Sequence, residues 1–244
     1  MSQSAGEHSV DLTIGRIDDA VDRLLATASA LTDAQVREAS LLPGWSRGHV
    51  LTHIARNADG LRNLLIWAAT GTKTPQYPSR EVRDAQIEAG AGRPASELAA
   101  DVERSAIEFM AEARAVPDDA WTSEVQGLRG APHPAWFTLH RRLVEVEVHH
   151  ADLAAGYRPG DWPGWFVAEQ LDRISGGLAA NPEAPAAVLK DTGTGRKYFL
   201  RPDAAAELEI AGPGYLLLAW LLGRDDGADL AADPAGPLPG VPPY

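Results

Sequence analysis

The sequence predicts an α plus α+β protein: an all-helical bundle to about residue 157, then a small α+β domain over residues 158–244 that ends in a Pro-rich tail. Three observations carry this reading. Segments before Gly156 place apolar residues every three or four positions, the period of a half-buried helix. The stretch Arg158-Pro159-Gly160-Asp161-Trp162-Pro163-Gly164 reads as a linker or domain edge. Beyond it, short apolar runs flank Asp191-Thr192-Gly193-Thr194-Gly195, a hairpin signal.

In chain order, Val10 to Leu31 carries Ile14, Ile17, Val21, Leu24, Leu25 and Ala28 at helical spacing, with Asp18, Asp19, Asp22 and Arg23 on the wet side. Thr32-Asp33 starts a short helical turn that Leu42-Pro43-Gly44-Trp45 breaks. Ser46 is the N-cap of the next helix, which stops at Gly71. Val50, Ile54, Leu61 and Leu65 form its apolar stripe, and His53 and Asn57 flank that stripe beside Leu64. His53 therefore points inward, an unusual place for a polar ring unless something binds it. His49 lies further round toward solvent.

A helix from Ser79 to Gly90 or Gly92 follows, then one opened by Pro94-Ala95-Ser96 and closed by Pro117, with Leu98, Val102, Ile107, Phe109 and Met110 as its apolar set. Trp121 to Pro134 reads as extended or irregular. Pro134 fits the first turn of a helix that ends at Gly156. That helix has two apolar stripes, Leu139, Leu143, Val146 and Leu153 on one side and Val144, Val148, Ala151 and Ala155 on the other, so it is buried twice over. After the linker come a helix over Trp165 to Leu178, strands at Ala187 to Lys190, Arg196 to Arg201 and Glu207 to Ile210, and a buried helix at Tyr215 to Leu222. From Asp233 the prolines at 234, 237, 239, 242 and 243 predict an extended, lightly ordered tail.

The net charge of −12 opposes nucleic acid and anionic membranes as partners, since both repel an acidic surface. No basic segment followed by an apolar core opens the chain, and its longest apolar run falls far short of the roughly 20 residues that span a bilayer. The expectation is a cytoplasmic protein, monomer or homodimer. The chain has no cysteine. Any metal must then be held by nitrogen and oxygen, and any thiol chemistry must borrow its sulfur.

Within Arg141–Asp152, RRLVEVEVHHAD, Glu145 and His149 stand one helical turn apart on a single face. They lie on the arc between the two apolar stripes. With His53 from the earlier helix they make two imidazoles and one carboxylate, a set that holds zinc with an open position or divalent iron. Asp152, three residues after His149, can accept a hydrogen bond from a ligand ring. The ordinary reading stands beside this one: Glu and His four apart are common on helices, and His53 alone is a hydrogen-bonded core histidine. His49, His140 and His150 read as surface or packing residues.

The segment LLPGWSRGHVLTHIARNADGLRNLL resembles the amino-terminal signature of the mycothiol-dependent maleylpyruvate isomerase family, within the DinB-like metal-binding superfamily. RRLVEVEVHHADLAAGY resembles that family's second motif, and YPSREVRDAQIEAGAGRP between them is also similar. The resemblance implies a DinB-like antiparallel four-helix bundle followed by a small α+β domain, metal ligands His53, Glu145 and His149, and a catalytic arginine matching Arg224. Against the last stands the ordinary reading that Arg224 caps a helix C-terminus. The implied reaction is conversion of maleylpyruvate to fumarylpyruvate in gentisate-type aromatic degradation. Its implied cofactors are Zn2+ or another divalent metal and mycothiol, which supplies the missing thiol to a dicarboxylate substrate. Arg83 and Arg47 are candidate helpers. A thiol S-transferase on the same scaffold and a non-catalytic metal- or small-ligand-binding protein remain open alternatives.

Overall fold

The structure is a computed structural model that describes residues 10–204 and 208–242, and the chain divides into two compact units that part between Tyr157 and Arg158. The first is helical: α1 (Val10–Ala30), α2 (Asp33–Val36), α3 (Arg47–Thr70), α4 (Arg80–Ala91), α5 (Ala95–Ala115) and α6 (Trp136–Asp152). Helix α3 packs on α5 and α6, and α1 packs on the same two, which makes a DinB-like four-helix bundle with α4 laid against α3.

The expected stripes form the core. Ile17, Val21, Leu24 and Ala28 of α1, Val50, Ile54, Leu61, Leu64 and Leu65 of α3, and Leu98, Val102 and Phe109 of α5 are all buried. Each of these Val, Leu, Ile and Phe side chains withdraws enough apolar area to contribute roughly 1.5–3 kcal/mol. Ile107, expected in the same set, is 62% exposed, because it falls on the outer face of α5. Local signals place the helix ends. The Ser46 hydroxyl accepts from the His49 backbone N–H while the Ser46 N–H donates to His49 Nδ1, and Gly71 ends α3 at φ 70, a left-handed conformation that suits glycine. Thr32 and Gln35 cap α2 in the same reciprocal way.

Helix α6 starts two residues later than the sequence suggests. Pro134 belongs to a two-residue strand, β2 (His133–Pro134), paired antiparallel with β1 (Glu124–Val125), so its lack of an N–H is tolerated in an edge strand rather than in a first helical turn. The helix ends at Asp152 rather than Gly156. Both of its sides are covered: Leu139, Leu143, Val146, Val148, Ala151 and Leu153 are buried.

In the second unit, α7 (Gly164–Leu178) and α8 (Gly214–Leu221) pack together, and α8 also lies against a four-stranded sheet ordered β4-β3-β5-β6. Its strands are β3 (Ala187–Asp191), β4 (Lys197–Phe199), β5 (Leu208–Gly212) and β6 (Ala231–Asp233). The β3–β4 hairpin is antiparallel, whereas β3 and β5 run parallel. Asp191 organises the unit: its carboxylate accepts from Gly193 N, Gly214 N and Thr194 Oγ1. The expected third strand is present from Leu208; Glu207 lies outside the described residues, as does Pro243 of the tail. Ala231–Asp233 pairs with β5, so the chain remains in the sheet up to Asp233, where an extended tail was expected to begin.

Candidate metal centre

Helices α3 and α6 cross the bundle side by side and bring the three expected ligands together. His53 Nε2 lies 3.0 Å from Glu145 Oε2, and His149 Nε2 lies 3.2 Å from the same oxygen. The two imidazole rings meet edge to face with centroids 4.6 Å apart. One ligand atom from each of the three residues falls within 4.8 Å of the others, a triangle that one divalent ion can bridge.

The neighbours set the charge on each ring. His149 Nδ1 donates to Asp152 Oδ2 at 2.8 Å, and Asp152 is fully buried. Burial works against the imidazolium, but the bonds to Asp152 and Glu145 outweigh it and push His149 up to about 9. His53 goes the other way: burial, with the nearby His149 and Arg83 charges, holds it below the ordinary imidazole value despite the bond to Glu145. Glu145 is opposed by burial, yet hydrogen bonds from His149 and His53 keep its carboxyl well below the usual carboxylate range.

Arg83 Nη2 approaches His53 Nδ1 at 3.1 Å. A guanidinium only donates, so in this arrangement Nδ1 accepts and the His53 proton sits on Nε2, facing Glu145. His149 instead has the usual ligand arrangement, with its remote nitrogen bonded to a carboxylate and Nε2 turned toward the centre. The donor set of two imidazoles and a carboxylate fits zinc or another divalent cation, and the fit requires only that the Nε2 protons leave.

A cavity of about 290 Å³ opens beside His53 and Glu145, bordered by Tyr77, Arg80, Arg83, Arg129 and Arg141. Burial pushes the Tyr77 phenol up to about 12, so it stays a protonated donor. Arg141 stands four residues before Glu145, on the face that carries Glu145 and His149. That spacing is legible in the sequence, whereas its place beside the cavity comes from the fold. Arg142, also missed, is fully buried: its Nη1 donates to Ile54 O at 2.8 Å and Asn57 Oδ1 at 3.1 Å, which explains why Asn57 faces the interior. Burial drives Arg142 down to about 10.

Arg47, His49, His140 and His150 take structural places. Arg47 donates to Leu153 O, Ala154 O and Glu38, and so ties the start of α3 to the end of α6. His49 caps α3, His150 bonds Thr27 and stacks on Tyr157, and His140 stacks on Phe137. Arg224, in the second unit, donates its backbone N–H to Ala219 O and its Nη1 to Leu222 O at 2.7 Å, across the C-terminus of α8.

Two imidazoles and a carboxylate converge from two helices of the bundle on a candidate metal centre. Residues 17–154 match the family model described as the mycothiol maleylpyruvate isomerase N-terminal domain, and the chain belongs to that family. Over 97% of both chains it is similar to the crystal structure of a mycothiol-dependent maleylpyruvate isomerase, at 28% identity and a TM-score of 0.88. A histidine-to-alanine mutant of such an isomerase matches at 28% identity and 0.87, again over 97% of each chain. YfiT from Bacillus subtilis, with a four-helix bundle topology, shares the fold over 63% of this chain and 89% of its own, at 16% identity and a TM-score of 0.52. No curated protein sequence matches the chain.

Proposed function

We propose that this protein is a metal- and mycothiol-dependent isomerase that converts maleylpyruvate to fumarylpyruvate. The observation that carries the reading is the convergence of His53, Glu145 and His149 in a chain that resembles such an isomerase end to end.

Rotation about a double bond requires that the bond be opened. A thiolate adding to the alkene forms a carbon–sulfur bond and moves the π electrons into the conjugated carbonyl as an enolate. Rotation about the resulting single bond is then free. Collapse of the enolate re-forms the alkene in the trans geometry and expels the thiolate, so atoms and electrons balance with no oxidant or net proton. With no cysteine in the chain, the sulfur comes from a thiol cofactor. A divalent metal held by His53, Glu145 and His149 would supply thiolate near neutral pH by stabilising the anion. The chain's own part is to fix those ligands, with Asp152 orienting His149, and to grip the substrate's carboxylates. Arg224 is the candidate for stabilising the enolate or one carboxylate.

The test is turnover of maleylpyruvate by purified protein, followed by ultraviolet absorbance, with and without mycothiol and added zinc. Fumarylpyruvate is expected only when both are present. A stable thiol adduct without fumarylpyruvate would make the protein an S-transferase instead.

A further inference from the structure

The cavity beside the candidate centre concentrates positive charge in a chain whose net charge is −12. Arg80, Arg83, Arg129 and Arg141 border it, against only Glu145 and Asp84 on the acidic side. Asp84 is already engaged by Arg83 Nη1 at 2.6 Å. Among the described residues Arg80, Arg129 and Arg141 make no ion pair within 4 Å, and the Glu145 carboxylate, whose charge reaches Arg141, is bonded to His53 and His149.

Arg141 is oriented by neutral groups from two loops. Its Nη1 lies 3.4 Å from His133 Nε2 and its Nη2 lies 3.4 Å from Gln76 Oε1. His133 Nδ1 faces the Pro134 carbonyl at 3.0 Å, so that nitrogen carries the proton and Nε2 is left to accept. Burial, with Arg141 adjacent, keeps His133 below its ordinary value and therefore neutral. Gln76 is itself buried and fixed by the Leu128 N–H at 2.8 Å. Gly127 lets this loop close: a Cβ there would meet the Arg141 guanidinium and the Gln76 side chain. Both groups that orient Arg141 are thus neutral acceptors. They position the guanidinium without cancelling its charge, which leaves an anion as the ligand that would complete it. The volume, about 290 Å³, is at the small end for ligand pockets and suits a short acid.

We propose that this cavity is a carboxylate-binding subsite that takes one end of a short dianionic substrate, with Arg141 as its principal cation and Arg80, Arg83 and Arg129 around it. The inference rests on the diacid reading of the proposed function and places a carboxylate grip in the helical unit, independent of Arg224.

The probe is maleate, titrated calorimetrically into zinc-loaded protein at low ionic strength, with neutral maleamide as its control. R141Q is expected to weaken maleate about tenfold or more, the size of one lost charge-assisted hydrogen bond. Metal content should be unchanged, and maleamide should not discriminate between wild type and variant. R62Q, a surface arginine removed from outside the cavity, controls for net charge and should bind as wild type does. Should R141Q fail to fold, the exposed R129Q and R80Q changes carry the test, each expected to weaken maleate several-fold. Maleate binding that is unchanged in these variants, or that vanishes on chelation while ignoring the arginines, overturns the subsite. The two readings fail separately. Arginine-dependent maleate binding without isomerase turnover removes the reaction and keeps the subsite, whereas turnover with arginine-independent maleate binding does the reverse.

Discussion

Glu145 Oε2 is the point on which both imidazoles converge, so removing any one of the three groups leaves a set too small to hold an ion firmly. His53→Ala, Glu145→Ala and His149→Ala are each expected to abolish stoichiometric zinc in elemental analysis. Arg224→Ala should keep the zinc and lower turnover by about tenfold or more, if its guanidinium supports the transition state. An Arg224 variant with normal turnover would leave that residue only its place at the end of α8. Asp152→Asn removes the charge that His149 Nδ1 donates to. It should lower the His149 pKa in an NMR titration and weaken zinc about 10- to 100-fold. The pH dependence of the metal-free protein follows with a definite sign. A His149 pKa raised from 6.5 to about 9 contributes stability that is complete below 6.5 and is lost as pH rises through about 9. The urea midpoint of metal-free wild type should therefore fall over that interval, and His149→Gln should lack this part of the fall.

At the scale of elements, the register of α3 against α4 decides whether Arg83 reaches His53. Gly48, in the first turn of α3, lies so close to α4 that a Cβ there would meet the Ala91 carbonyl backbone. Gly48→Ala must push the C-terminus of α4 away and should destabilise the protein by about 1–3 kcal/mol, as overpacking does. Chemical denaturation measures this, and a shifted His53 ring resonance would report the lost Arg83 contact. Ser46→Ala, which removes the cap that fixes the start of α3, should cost about 0.5–2 kcal/mol in the same assay. These elements were legible because caps, glycine stops and apolar periods are local. The start of α6 was not. Pro134 satisfies a helix N-terminus and an edge strand equally well, and only its pairing with β1 across the intervening loop decides between them. Strand β6 is not legible in the sequence, since Ala231–Asp233 has no strand pattern of its own and is held by β5 about twenty residues earlier.

For the molecule as a whole, the absence of cysteine makes a sharp prediction. Treatment with iodoacetamide followed by its removal should leave the proposed thiol-dependent turnover intact, because the chain itself offers no thiol to alkylate. Among the described residues no helix is long and apolar enough to cross a membrane. The acidic surface and the arginine-bordered cavity also oppose one another electrostatically. Raising salt from about 0.01 to 1 M shortens the screening length from about 30 to 3 Å, so maleate binding should weaken across that range.

The helical bundle, its inward-facing His53, the Glu145–His149 pair and the lack of any thiol in the chain are all legible in the sequence. Each of these follows from spacing along one chain segment or from composition. Only the tertiary structure decided which charges surround that centre. Arg83 reaches His53 from a different helix, and Arg141 stands on the same face of α6 as Glu145 but is oriented by His133 and Gln76 from two separate loops. Long-range packing also turned Arg142 into a buried link to Asn57 and Arg47 into a clasp between α3 and α6. Such roles depend on which polar groups become neighbours when distant segments lose their water, and no spacing within one segment encodes that.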